Sequence, residues 1–177
     1  LPNYTGTARL GPMECREHPG GFYEKIGVDF EYPTLYEKLT ARQNLQFFGS
    51  LYQKREQPID LLLEEVGLAK AADQKVSTFS KGMRSRLSFI KALLHDPEVL
   101  FLDEPTSGLD PANSRIMKDM ILAEKAKGKT ILLTTHNMAD AGELCDRVAF
   151  IVEGAIAALD SPHALIMGKG AATVTYT

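Results

Sequence analysis

Two adjacent carboxylates, Asp103 and Glu104, follow the apolar stretch Val99-Leu100-Phe101-Leu102 and precede Pro105-Thr106-Ser107-Gly108-Leu109-Asp110-Pro111. One such acid can hold Mg²⁺, which prefers oxygen ligands and keeps several waters. The next can orient or deprotonate an attacking water. A strand end carrying two solvated acids is the plainer account, and the apolar stretch alone does not decide against it. Further along, Thr130-Ile131-Leu132-Leu133-Thr134-Thr135 ends in His136. An imidazole there can donate a hydrogen bond or take up a proton near neutral pH, although a lone His after a strand also reads as a surface residue. Upstream, Ser80-Lys81-Gly82-Met83 opens an amphipathic stretch. Ser80 is a good helix N-cap, Gly82 permits close approach to the backbone, and free amides with the helix dipole favour an anion. The competing account is an ordinary capped helix whose Arg84, Arg86 and Lys91 form a solvated face.

The elements that must deliver these residues are legible at coarse grain. The apolar stretch from Val99 suits a strand buried on both faces, and open α/β sheets bind ligands at the carboxyl ends of their strands. Residues up to about Pro33 read as short strands and turns. Thr40-Ala41-Arg42-Gln43 is a capping box that starts a helix reaching about Leu51. Pro58 opens a second helix that ends near Gly67. The helix beginning at Ser80 extends to about Leu94 and stops near Asp96-Pro97. After the strand at Val99 come a helix from about Ala112 to Lys127, the strand to Thr135, a short helix and a strand from Val148 to Val152. Glu153-Gly154 is a hairpin turn into Ala155–Leu159. Ser161-Pro162 opens a last short helix. Alternating strands and helices imply right-handed crossovers in a mostly parallel sheet.

Taken together, Val99 to Pro111 resembles the Walker B motif and D-loop of ATP-binding cassette (ABC) ATPases. Thr78-Phe79-Ser80-Lys81-Gly82-Met83 sits where that family carries its signature, commonly Leu-Ser-Gly-Gly-Gln. Lys81 and Met83 depart from it and resemble a branch of bacterial drug and antibiotic exporters. Thr130 to His136 resembles the H-loop, and Asn137 to Val148 continues the likeness. Ile26 to Thr40 resembles the Q-loop region, with Glu31 where the family usually has Gln. The resemblance implies an α/β fold with a P-loop NTPase-like, mostly parallel core and an inserted helical signature subdomain, N-terminally truncated. It divides the chain into 1–34 (core remnant with Q-loop), 35–95 (helical subdomain), 96–153 (core with Walker B, D-loop and H-loop) and 154–177 (C-terminal hairpin and helix). It implies ATP and Mg²⁺ as cofactors, Glu104 and His136 as catalytic residues, and Asp103 and Glu31 at the metal. Ser80, Lys81, Gly82, Met83 and Asp110 would meet nucleotide across an interface with a second cassette, as homo- or heterodimer. The implied partner is a membrane permease, docked near Glu31 to Tyr36, with the chain on the cytoplasmic face of the cell membrane. A soluble ABC ATPase of translation or DNA repair, and a non-hydrolytic regulatory cassette, are the alternatives.

The family's phosphate cradle, G-x-x-x-x-G-K-[ST], does not occur in the 177 residues. Gly6 to Gly11 has the glycine spacing, but Pro12-Met13 replaces Lys-Ser. Ala123 to Thr130 passes a permissive version, yet it closes a helix and opens a strand, the reverse of a cradle. Gly128 reads there as a C-cap, with Lys125, Lys127 and Lys129 complementing the dipole. Tyr4 to Leu10 resembles the strand that follows the family's first helix, and the run Ala172–Thr177 stops without a turn. The expectation is a fragment that is inactive alone, with apolar sheet and helix faces uncovered and prone to association.

Composition is consistent with a folded domain of this length, 44% hydrophobic, with a formal net charge of −3. That balance offers no electrostatic case for nucleic acid. No stretch approaches the ~18 apolar residues of a membrane span. Cys15 and Cys145 lack metal-ligand spacing and read as reduced thiols. His18, His95 and His163 sit in no motif and read as surface residues.

Overall fold

The computed structural model of the chain describes residues 5–17, 21–53 and 57–167. His18, Tyr4 and the run Ala172–Thr177 lie outside them. Three parallel strands form the centre, β3 (Ile26–Asp29), β4 (Val99–Asp103) and β5 (Thr130–Thr134), in the order β3-β4-β5. Two short antiparallel ribbons flank it. One pairs β1 (Arg9–Leu10) with β2 (Met13–Glu14), so among the described residues of the strand expected over Tyr4 to Leu10 only the last two are extended in a ladder. The other pairs β6 (Val148–Val152) with β7 (Ala155–Asp160). Glu153 and Gly154 both have positive φ, 49° and 79°, as the tightest hairpin turns require.

Parallel strands need long crossovers, and helices fill them. The crossover from β3 to β4 carries α1 (Ala41–Gly49), α2 (Ile59–Glu65) and α3 (Lys81–Lys91). The capping box forms as expected: Thr40 accepts from the Gln43 amide and Gln43 reaches back to the Thr40 amide. Pro58 caps α2 from outside instead of occupying its first turn. The last turn after α3 tightens, with Leu93 N–H donating to Ile90 O at 3.0 Å, and Asp96 at φ 48° ends it before Pro97. The helix is therefore shorter than the apolar pattern alone indicates. Gly27 lets this turn lie on β3, because a Cβ there would stand 2.3 Å from the Ala92 carbonyl oxygen.

The crossover from β4 to β5 is α4 (Pro111–Ala126), capped by Asp110. It ends as expected at Gly128 (φ 88°), with Gly128 N–H on Lys125 O and Lys129 N–H on Glu124 O. This is the Schellman arrangement, so the cradle-like string is a helix end. α5 (Met138–Leu144) and α6 (Pro162–Ile166) complete the chain, the latter capped by Ser161.

The core lies between α1–α4 and one face of the sheet, around Leu45, Leu63, Leu87, Phe89, Leu100 and Met117. The expectation of a strand buried on both faces fails for β4. Leu100 and Leu102 are fully enclosed, whereas Val99 and Phe101 are only half-buried, because helices cover one face among the described residues. Exposed Leu132, paired with Phe101, continues the open side onto β5. His95 also departs from the surface role expected of it. It is 4% exposed, its ring stacks on Tyr52 at 3.7 Å, and Nε2 lies 2.9 Å from Ile26 O. Burial lowers its pKa. Arg84, Arg86 and Lys91 do not form a solvated face either. Arg84 pairs with Glu37, Arg86 donates to the Val66 and Gly82 carbonyls, and Lys91 donates to Thr34 Oγ1 at 3.0 Å over the Phe48 ring.

Candidate active site

In-register pairing brings the ends of β4 and β5 level, with Asp103 opposite Thr134. Asp103 Oδ1 accepts from Thr134 Oγ1 at 2.5 Å. Glu104, the next residue, has φ 48°, a conformation that side chains with a Cβ seldom adopt. Its N–H donates to Thr134 O at 3.0 Å. Its Oε1 accepts from the His136 amide at 2.8 Å and lies 2.8 Å from His136 Nδ1. The carboxylate raises the His136 pKa, through the hydrogen bond first and the charge second, with a smaller contribution from Glu31. With Nδ1 engaged and the side chain 80% exposed, Nε2 is the ring nitrogen left for a ligand.

Glu31, beyond the end of β3, is half-buried and accepts from Ser107 Oγ at 3.0 Å. The loops after all three parallel strands thus meet at one end of the sheet. A cleft of about 330 Å³ opens there, bounded by Glu104, Ser107, Gly108, His136 and Asn137 among others.

The residues of the capped turn, Ser80 to Met83, meet this end through the loop after β4. Ser80 accepts from the Met83 amide at 3.2 Å. A Cβ on Gly82 would stand 2.4 Å from the Asn113 side chain, and one on Gly108 would stand 2.2 Å from Lys81 Nζ. The close approach that needs glycine at 82 is therefore made here by Asn113 of the same chain. Met83 packs against the core. Asp110 caps α4, accepting from the Asn113 amide at 3.0 Å and from Asn113 Nδ2 at 2.6 Å, and these bonds lower its pKa.

Ser107, Thr134, Thr135 and the Thr106–Asp140 pair are the site's supporting hydroxyls and acid, and the sequence reading passed over them. Their only local signal is a run of hydroxyl residues just after each strand. Among the described residues, no three His, Cys, Asp or Glu side chains cluster closely enough to hold a metal alone. Yet among the described residues the side chains bonded to Asp103, Glu104 and Glu31 are hydroxyls and the His136 imidazole, with no lysine or arginine. Such oxygen donors, left without a cationic partner, fit Mg²⁺, which takes one or two carboxylates and completes its shell with water and phosphate.

A parallel α/β sheet with acids and a histidine at its carboxyl end defines the class to which the comparisons point. The ABC transporter family matches residues 5–107, and the chain belongs to that family. A fluoroquinolones export ATP-binding protein of Mycobacterium tuberculosis is 53% identical over 169 residues, covering 96% of this chain and 56% of that protein. A Nod factor export ATP-binding protein I of Burkholderia lata is 43% identical, covering 81% and 48%. The structure of CbiO1 from Clostridium perfringens, part of the ABC transporter complex CbiONQ, superposes with a TM-score of 0.70. It is 29% identical and covers 82% of this chain and 61% of that one. The chain spans about half the length of the curated relatives it matches. No helix among the described residues is long and apolar enough to cross a membrane.

Proposed function

We propose that this chain is part of the ATP-binding and ATP-hydrolysing subunit of an ABC exporter. The observation that carries the reading is Glu104, held in a left-handed conformation with its carboxylate on His136 and next to Asp103. Similarity to drug-export and Nod-factor-export ATP-binding proteins supports export over a translation or DNA-repair role.

Mg²⁺, when bound with ATP, would offset phosphate charge and order the phosphoryl oxygens. The chain's own residues do the rest. Asp103 and Glu31 would hold the cation through their carboxylate oxygens. Glu104 accepts the proton of the attacking water. His136, oriented through Nδ1, presents Nε2 to the γ-phosphate. The free amides behind Ser80, with Lys81, Gly82 and Met83, face a phosphate held by a second cassette, and Asp110 lies beside that interface. A membrane permease docks near Glu31 to Tyr36, which places the chain on the cytoplasmic side of the membrane.

Titration calorimetry with Mg-ATP tests where the phosphates are held. The 177 residues alone are expected to bind nothing at millimolar nucleotide, while the full-length protein binds and hydrolyses ATP. Full-length protein without Mg²⁺-dependent hydrolysis would overturn the enzymatic reading in favour of a regulatory cassette. Saturable binding by the 177 residues would relocate the phosphate site.

A further inference from the structure

Glu104 and His136 touch, but neither is held by that contact alone. Two residues after Glu104, Thr106 Oγ1 donates to Asp140 Oδ2 at 2.7 Å. Asp140 lies in the first turn of α5, four residues after His136. It is 3% exposed, and its other oxygen, Oδ1, lies 3.3 Å from Lys118 Nζ on α4. The Asp140 amide also donates to Asn137 Oδ1 at 3.4 Å, within the cap that follows His136. A buried carboxylate must have partners, and here Thr106 supplies one from the loop after β4 and Lys118 the other from α4.

These contacts close a ring. It passes from Glu104 through Pro105 to Thr106, across the hydrogen bond to Asp140, back through the start of α5 and its cap Asn137 to His136, and across to Glu104. Pro105 is buried and fixes its own φ, so this part of the ring is stiff. Lys118 ties the ring to α4, and it also pairs with Glu143 on α5, which in turn pairs with Arg115.

We infer that the Thr106–Asp140 hydrogen bond is a positioning link that sets the Glu104–His136 pair. Thr106 and Asp140 act through that pair and touch no reacting atom. The inference rests on reading Glu104 as the general base, but its spectroscopic test does not.

The test uses full-length protein labelled with ¹⁵N at histidine, with the His136 Nδ1 resonance assigned by its loss in His136→Gln. Glu104→Ala supplies the resonance of an unpaired ring. Thr106→Val keeps the side-chain shape and removes the hydroxyl. It is expected to move the Nδ1 resonance at least halfway to the unpaired position. It is also expected to lower kcat about tenfold with little change in KM, less than the roughly 10²-fold that a 1 Å misplacement can cost. Thr106→Ser restores the hydroxyl and should restore both readings. Should the valine protein fail to fold, Thr106→Ala gives the same readout. An unmoved resonance in the variant lacking the hydroxyl, or no recovery with serine, would overturn the link. If unsubstituted protein shows no turnover while the resonance still responds, the link stands and the general-base reading falls.

Discussion

The two ends of the three-stranded sheet handle charge in opposite ways. At the amino end, Lys25 pairs with Glu98 at 2.9 Å, Lys127 pairs with Glu124 at 2.7 Å, and Lys129 donates to Pro97 O at 2.8 Å while pairing with Asp96 and Glu124. Each cation there has an acid. At the carboxyl end, Asp103, Glu104 and Glu31 are held by hydroxyls, an amide and an imidazole. The amino end has the roomier hollow, about 510 Å³ against about 330 Å³. Room is thus a poor guide to chemistry in this molecule. Carboxylates bonded to no lysine or arginine among the described residues mark the end suited to a charged ligand. Backbone strain does not separate the ends, since Asp96 at the amino end shares the φ of 48° seen at Glu104.

The contrast can be broken most directly at Glu104. In full-length protein, Glu104→Gln is expected to lower ATP turnover by at least about 100-fold, the scale of a lost general base, while retaining nucleotide binding in a filter assay. Turnover near normal would remove Glu104 from that role.

At the other end, Lys129→Met should act on stability alone. Its side chain is 10% exposed and bonds Asp96 and the Pro97 carbonyl, so removing it takes a partner from each, while Glu124, 3.8 Å away, keeps Lys127 at 2.7 Å. A loss of about 2 kcal/mol in urea unfolding is expected, somewhat below the 3–5 kcal/mol of a fully buried pair. Turnover per folded molecule should not change, and a selective loss of activity would dissolve the distinction between the ends.

Asp29 sharpens the comparison, because it is an acid at the carboxyl end that burial disarms. Enclosure pushes its carboxyl up to about 6 from 3.8, against the lowering by the Ser88 hydrogen bond at 2.5 Å and by Lys91. The folded chain keeps a proton there, between about pH 4 and pH 6, that the unfolded chain has released. Stability therefore falls as pH rises through that window. Asp29→Asn should narrow the fall in unfolding free energy between pH 4 and pH 7 by about 2 kcal/mol. Parallel curves for the two proteins would show that Asp29 titrates normally. The smallest effect is expected on the solvated face of α4. Asp119 pairs there with Arg115 in the open, and Asp119→Asn should leave the urea midpoint unchanged within error.

Much of this arrangement was legible because it is local. The capping box at Thr40 and Gln43, the αL turn at Gly128, the hairpin at Glu153-Gly154 and the cap at Ser161 each depend on groups within a few residues. So does the delivery of Asp103 and Glu104 by a short apolar strand. Spacing placed β4 to β7 and the helices, whereas β3 was legible only as one of several short strands before Pro33.

Tertiary structure decided which of these residues are neutralised, buried or held. Ser107 meets Glu31 across 76 positions, and Thr106 meets Asp140 across 34. Lys91 and His95 read as solvated or surface residues and Asp29 carries no local signal, yet packing encloses all three. Half-burial of Val99 and Phe101 likewise depends on which face the helices cover. Hydrophobic pattern reports that a side chain prefers an interior, but only the packed elements determine what stands opposite it.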